Sequence, residues 1–175
     1  MTASVVGLSG SPGPASRSRT LLELALTALE KQGVAPARLI DLAQLPPDAL
    51  LGRRDADEVA EAIQSVLDAG IIVVSTPIYR ATYSGLLKVF FDLLPQDALA
   101  GKVAIPIATG GGPAHLLAVD HGLRPLLASV GALVVAGGVY GTDAQFRSGT
   151  PEPALVERIE RAALEAASLA AGVTT

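Results

Sequence analysis

Residues 71–74 read Ile71-Ile72-Val73-Val74, with Gly70 before them, Ser75-Thr76-Pro77 after them and no polar residue alternating through the run. A strand with one face in water alternates apolar and polar side chains, because successive side chains point to opposite faces. A strand with helices on both faces does not alternate. The run therefore predicts an interior strand of a parallel sheet, closed by Pro77. Residues 102–108 repeat the pattern and stop at Thr109-Gly110-Gly111-Gly112-Pro113. Parallel neighbours cannot be joined by a tight turn, so helical crossovers must lie between them.

The crossovers can be read in order along the chain. A short apolar run ending at Leu8 opens into a small, hydroxyl-rich loop in which Gly10, Pro12, Gly13 and Pro14 prevent an early helix start. From Leu21 the residues Leu21, Leu22, Leu24, Ala25 and Leu29 recur at helical spacing, with Ser18 or Thr20 as N-cap, and the helix fades at Lys31-Gln32-Gly33. Residues 37–42 read as a shorter strand, which Pro36 assigns to the sheet edge. Residues 43–54, with Pro46-Pro47 and Gly52, read as a long surface loop, and 55–67 as an amphipathic helix carrying Val59, Ala62, Ile63, Val66 and Leu67. After a loop at 78–83, residues 84–94 form a helix with Leu86, Leu87, Phe90, Phe91 and Leu94 inward. A helical segment runs to Val130, a fifth strand covers 132–139, a polar loop covers 141–153, and a last amphipathic helix passes through Leu155, Ile159, Ala163, Leu164 and Ala167.

Strand and helix alternate about five times, which predicts an α/β three-layer sandwich around a five-stranded parallel sheet with right-handed crossovers. The length of 175 residues fits one domain over 1–175. In the flavodoxin-like strand order 2-1-3-4-5, FMN sits at the switch point between strands 1 and 3. Three loops, 11–18, 77–84 and 109–112, converge there, each following a strand's carboxyl end.

Composition removes several function classes. The chain has no cysteine, which excludes disulfides, thiolate metal sites and thiol redox chemistry, so any redox activity comes from a bound cofactor. A formal net charge of −4 argues against a nucleic-acid footprint. Half the residues are hydrophobic and the mean hydropathy is +0.46, yet the apolar runs are broken by Gly, Pro or charge well short of the ~20 residues of a membrane helix. No basic-then-apolar segment opens the chain, and a cytoplasmic protein is expected.

The first loop, Ser9-Gly10-Ser11-Pro12-Gly13-Pro14-Ala15-Ser16-Arg17-Ser18, meets a helix N-terminus, where free amides and the helix dipole favour an anion. It has neither the Gly-x-Gly-x-x-Gly spacing of a dinucleotide fold nor the Gly-Lys-Ser/Thr ending of a triphosphate loop. Its hydroxyls suit a phosphate monoester; the plain alternative is a strand-to-helix connection with a serine cap. The second loop carries Tyr79 and Tyr83, two of the chain's three tyrosines, and offers aromatic surface and backbone groups to a planar heterocycle, or simply covers the core edge. The glycines at 110–112 permit close backbone approach, or form a turn.

Gly10-Ser11-Pro12 with Ser16-Arg17-Ser18, Thr76-Pro77-Ile78-Tyr79 with Tyr83-Ser84-Gly85-Leu86-Leu87-Lys88, and Ala108-Thr109-Gly110-Gly111 with Ala114-His115-Leu116-Leu117-Ala118-Val119-Asp120 resemble the NAD(P)H-dependent FMN reductases of two-component alkanesulfonate monooxygenase systems. The resemblance runs to about Val139, and 114–120 is its most specific part. It implies an NAD(P)H:FMN oxidoreductase that draws on NADPH or NADH, supplies reduced FMN to a separate flavin-dependent monooxygenase and assembles as a homo-oligomer, a dimer or tetramer. By the same resemblance, Ser11, Ser16, Arg17 and Ser18 hold the FMN phosphate, while Pro77, Ile78, Tyr79, Tyr83, Thr109, Gly110 and Gly111 surround the isoalloxazine ring. Gly13 stands where relatives often carry arginine, leaving Arg17 as the main cation.

Gly122 and Pro125 both disfavour a regular helix, at roughly 1 and 3 kcal/mol respectively, and a one-residue π bulge would accommodate them. In the resembled family an inserted Tyr or His makes such a bulge at an oligomer interface and is associated with FMN release. His121 occupies that place; its plain reading is a partly buried helix histidine. His115, the other histidine, caps the crevice or satisfies a backbone carbonyl. Hydride transfer between stacked rings asks for alignment more than for an acid or base, so no obligatory catalytic side chain is expected. Backbone donors at 109–111 would stabilise the reduced ring. Three rival readings stay open: an FMN-retaining reductase of quinones, azo dyes or metal oxyanions, a flavodoxin-like electron carrier without catalysis, and a non-redox protein that binds a phosphate ligand.

Overall fold

The computed structural model describes residues 4–35 and 37–173. Its main sheet contains β1 (Val5–Ser9), β2 (Arg38–Asp41), β3 (Ile71–Tyr79), β4 (Thr82–Tyr83), β5 (Val103–Gly110), β6 (Leu133–Val134) and β7 (Val139–Thr142). The order is β2-β1-β3-β5-β6, all parallel, with β7 also parallel to β5 and β4 antiparallel to β3. This is the flavodoxin-like arrangement 2-1-3-4-5, with its fifth position filled by two pieces. β2 lies at the edge as expected, although Pro36 falls outside the described residues.

The lack of alternation in β3 has a direct cause. Ile72 and Val74 enter one core with Val6, Leu8, Ala104, Leu87, Phe90 and Leu127, whereas Ile71 and Val73 enter another with Val5, Ile105, Ile107, Leu22, Leu155 and Ile159. All four β3 residues are completely buried. The helices α1 (Arg17–Lys31), α2 (Pro47–Leu50), α3 (Asp57–Asp68), α4 (Gly85–Phe91), α5 (Arg124–Ser129) and α6 (Pro153–Val173) supply the covers. α1 and α6 close one face and pack on each other, while α2 to α5 close the other. Each fully buried Leu, Ile, Val or Phe contributes about 1.5–3 kcal/mol, so the two cores carry most of the stabilising energy. Among the described residues, no helix is long and apolar enough to cross a membrane.

Several expectations are corrected. The N-cap of α1 is Ser16, whose side chain accepts from the Arg19 amide at 3.2 Å, rather than Ser18 or Thr20. Ser18 is buried inside the first turn. Residues 43–54 are not an open loop: Asp41 accepts from the Ala43 amide, a 3₁₀ turn covers Leu42–Gln44, and α2 starts at Pro47, whose fixed φ suits a first turn. Burial of Leu42, Ala49 and Leu50 holds that segment against the sheet. α4 ends at Phe91, with Leu94 buried from the turn beyond. Leu164 is 53% exposed because the buried stripe of α6 runs through Leu155, Ile159, Ala162, Ala163 and Ala166.

Pro77 does not close β3. The β1–β3 ladder has already ended at Ser75, leaving β3 an open side where a proline is tolerated, and Pro77 still pairs with Thr109 of β5. The strand then turns back on itself, Ile78 pairing with Tyr83 and Tyr79 with Thr82. The two turn residues, Arg80 and Ala81, have φ of +50° and +68°, the signature of a type I′ hairpin. Likewise β5 continues through Thr109 to Gly110, where it pairs with Thr142.

The expected fifth strand over 132–139 breaks in two. β6 pairs with Val103 and Ala104, β7 with 107–110, and the register between them slips by two residues around Ala136-Gly137-Gly138. Arg124 donates to the carbonyls of Val135 (2.8 Å) and Ala136 (3.2 Å), and Glu165 accepts from the amides of Ala136 (2.7 Å) and Gly137 (3.4 Å). The polar segment after β7 is ordered too, as a 3₁₀ turn over Asp143–Gln145 and a hairpin of β8 (Phe146–Arg147) and β9 (Thr150–Pro151). Its turn residues, Ser148 and Gly149, also have positive φ, +50° and +84°.

The helical segment before Val130 contains the bulge that Gly122 and Pro125 foreshadow. Val119–Leu123 is a π-helical turn, and the Arg124 amide reaches back five residues to the Val119 carbonyl. A Cβ on Gly122 would lie 2.8 Å from Thr82 Oγ1, so the glycine lets this turn sit against β4.

A left-handed alanine costs about 1 kcal/mol relative to glycine, so Ala81→Gly should raise stability by a similar amount. Urea denaturation of the two proteins checks this; an unchanged midpoint would show that the β3–β4 turn is unstrained.

Candidate active site

The carboxyl ends of β1, β3 and β5 open into a crevice of about 750 Å³, within the usual size of a cofactor site. Its first wall comes from the β1–α1 loop, with Ser11, Ala15, Ser16, Arg17 and Thr20. The second is Pro77, Ile78 and Tyr79 of the β3–β4 hairpin, and the third Thr109, Gly110 and Gly111. The three loops predicted to converge therefore do so. A fourth wall of Asp143, Phe146, Ser148 and Gly149 completes the crevice. Ser18 and Tyr83 do not line it: Ser18 is fully buried with its hydroxyl 2.9 Å from that of Ser16, and Tyr83 packs toward the π turn near Gly122. His115 and His121 are both exposed and lie outside the crevice lining.

The floor between β1 and β3 is fixed by buried hydrogen bonds. The Gly10 amide donates to the Ser75 carbonyl at 2.8 Å, and the Ser84 hydroxyl donates to the Gly10 carbonyl at 2.5 Å while capping α4 by accepting from the Leu87 amide. Thr76 Oγ1 accepts from the Ser84 amide and donates to the Pro77 carbonyl, both at 2.9 Å. A Cβ on Gly10 would sit 3.0 Å from Leu87 Cβ and 3.1 Å from the Ser75 carbonyl, so any side chain here would press on α4 and on β3.

The amides of Ser11, Gly13, Ala15 and Ser16 donate to no protein acceptor among the described residues. The Arg17 and Ser18 amides, which open α1, add two further free donors, and the 15-residue helix directs its positive end at the same place. With the hydroxyls of Ser11 and Ser16 and the guanidinium of Arg17, this donor set fits a phosphate monoester. Among the described residues, Arg17 is the one cation lining the crevice and Asp143 the one acid, and the two are paired at 2.9 Å. At the other end, a Cβ on Gly111 would meet nothing within 4 Å, so that wall is open to a flat ring.

The family model for NADPH-dependent FMN reductases matches residues 3–146. The chain belongs to this family. Among its relatives, the FMN reductase (NADPH) of Pseudomonas putida strain KT2440 is 41% identical over 159 residues, covering 89% of this chain and 80% of that one. The NADH-dependent FMN reductase SfnF of Pseudomonas fluorescens Pf0-1 is 38% identical over 170 residues, covering 94% and 90%. The crystal structure of the apo NADH:FMN oxidoreductase EmoB superposes with a TM-score of 0.86 at 39% identity, covering 95% of this chain and 89% of that one. Family membership makes the chain an oxidoreductase that works with flavin and a nicotinamide nucleotide.

The fourth wall of this reductase comes from residues 141–153, for which the sequence predicts only a polar loop. The Ser148-Gly149 pair, a turn dipeptide, was the available signal. That wall is braced by Tyr140, which is 3% exposed and donates to the Gly112 carbonyl at 2.6 Å. Gly110 makes room for it, since a Cβ there would lie 2.5 Å from the phenol oxygen. Burial chiefly, and the nearby Asp143 charge secondarily, hold the Tyr140 phenol above its ordinary pKa.

Because the folded phenol keeps its proton to higher pH than the unfolded one, its contribution is intact below about pH 10 and is lost as pH rises through the raised folded value. Tyr140→Phe should cost about 1 kcal/mol at neutral pH and remove that alkaline loss. Denaturation curves of both proteins at neutral and alkaline pH check this. Parallel pH profiles would detach the loss from Tyr140.

Proposed function

We propose that the chain is an NAD(P)H:FMN oxidoreductase that seats the FMN phosphate on the β1–α1 loop and hands reduced FMN to a separate flavin-dependent monooxygenase of the alkanesulfonate type. The observation that carries the reading is the set of uncommitted amides from Ser11 to Ser16 at the positive end of α1, opposite an open glycine wall. When bound, FMN supplies the two-electron chemistry. The protein's own work is placement. Ser11, Ser16 and Arg17 bind the phosphate, and Ser18 acts from behind by orienting the Ser16 hydroxyl. Pro77, Ile78 and Tyr79 on one side and Thr109, Gly110 and Gly111 on the other confine the ring, and backbone donors at 109–111 would favour negative charge on it. Tyr83 supports the hairpin behind Tyr79 through the Ile78–Tyr83 pair.

NADPH and NADH both remain candidate donors, as the differing names of the two relatives illustrate. Leu116 and Leu117, 48% and 60% exposed just ahead of the π turn, and Tyr79, 52% exposed, are large apolar side chains left available for a homo-oligomer contact, a dimer or tetramer. His121 is exposed on the π turn, and we assign that turn to flavin release. The cytoplasm, where reduced nicotinamide nucleotides are abundant, is the compartment this reading requires.

The decisive assay is aerobic oxidation of NADPH and NADH by the purified protein with and without added FMN, after its visible spectrum is recorded. A colourless protein whose turnover depends on added FMN supports the reading; a yellow protein indifferent to added FMN makes it a flavin-retaining reductase, and absence of turnover makes it a carrier. Deletion of His121 should close the π turn to α and yield protein that purifies yellow. A colourless deletion protein removes the turn from flavin release.

A further inference from the structure

Arg17, the one cation lining the crevice among the described residues, already has an anionic partner. Its Nη1 donates to Asp143 Oδ1 at 2.9 Å across a sequence gap of 126 residues, and its guanidinium carbon lies 5.8 Å from the centre of the Phe146 ring. Asp143 stands on a braced segment. It opens the 3₁₀ turn after β7, and that turn is braced independently: the Thr142 amide donates to Gln145 Oε1 at 3.0 Å, Gln145 Nε2 donates to Glu152 Oε1 at 2.7 Å, and the Glu152 amide returns to the Gln145 carbonyl at 2.9 Å. The pair itself is half-exposed, with side-chain exposures of 49% and 51%, so it adds little to stability.

A pair that does little for the fold, at the mouth of an anion seat, changes what the seat can hold. Resting on the FMN reading, we infer that Asp143 competes with the flavin phosphate for Arg17 and thereby sets how loosely the phosphate end is gripped. The lining side chains sum to zero formal charge, so an arriving phosphate dianion meets a cation already neutralised and a fixed carboxylate beside it. Asp143 engages one of the five guanidinium N–H donors, so the phosphate takes the others or displaces the carboxylate. Either way the penalty falls on the phosphate and not on the ring. Asp143 therefore lowers affinity for FMN without lowering affinity for riboflavin, the same ring without the phosphate.

The test is a titration of flavin fluorescence with flavin-free protein, for FMN and riboflavin separately, using wild type, Asp143→Asn, Asp143→Glu and Arg17→Ala. Asp143→Asn should bind FMN about fivefold tighter, the scale of an exposed charge pair, with riboflavin unchanged within roughly twofold. The gain should shrink in about 0.5 M salt, which screens exposed charges, and Asp143→Glu should return wild-type affinity. Arg17→Ala should weaken FMN and leave riboflavin alone. If Asp143→Asn moves both flavins together, or leaves FMN unmoved, while Arg17→Ala still lowers FMN selectively, the inference is overturned and the phosphate seat stands. If Arg17→Ala leaves the FMN-to-riboflavin ratio at its wild-type value, or the wild type binds neither flavin, the seat falls and the inference with it.

Discussion

The hydrogen bonds that close the gap between β1 and β3 are the constraint on which the rest of the site depends. Gly10 gives its amide to Ser75 and accepts at its carbonyl from Ser84, and Ser84 in turn caps α4 and is held by Thr76. At this point the two strands part, their crossovers leaving for opposite faces of the sheet. Each of these polar groups is buried, so losing one partner would cost about 1–3 kcal/mol. The seam therefore fixes where the β1–α1 loop starts and where the β3–β4 hairpin folds back. Two walls of the crevice inherit their position from it.

What the seam positions is a set of donors that the fold has left unspent. A helix must leave its first amides without internal partners, and the proline- and glycine-containing loop ahead of α1 adds several more. These are fixed dipoles, and they cost no reorganisation when an anion arrives. The single mobile charge among the lining cations is already balanced by Asp143. The site thus combines a rigid, neutral cradle with a weakly charged mouth, a division that suits a ligand which must enter and leave. The braces that hold the far wall, Tyr140 on Gly112 and Gln145 on Glu152, keep that division geometric instead of dynamic.

Features set by local chemistry were legible in the sequence. Residues 71–74 reported a strand buried on both faces because both of its faces are recorded in the same residues. Gly122 and Pro125 reported the π turn because each opposes a regular helix for its own reason. What was illegible depends on distant partners. Arg80-Ala81 carries no turn signal, and the type I′ hairpin there is imposed by the pairing of Tyr79 with Thr82. The sequence points to Ser18 or Thr20 as the cap of α1, but Ser18 is buried in the first turn and the chemically equivalent Ser16 takes the role. The β7–α6 segment looked like a polar loop because its order comes from single contacts, Thr142 with Gln145 and Gln145 with Glu152, that leave no periodicity behind. Asp143 and Phe146 were missed for that reason.

The broken outer strand has a consequence for behaviour at high concentration. A sheet edge is a template: a second chain can copy its register and extend the ladder, which is how strand-mediated aggregation and fibre growth begin. Here that edge consists of pieces two and four residues long, out of register by two, with the backbone groups between them taken by Arg124 and Glu165. An incoming strand finds no continuous register to copy. Growth of the sheet across molecules is opposed on this side by the folded geometry itself.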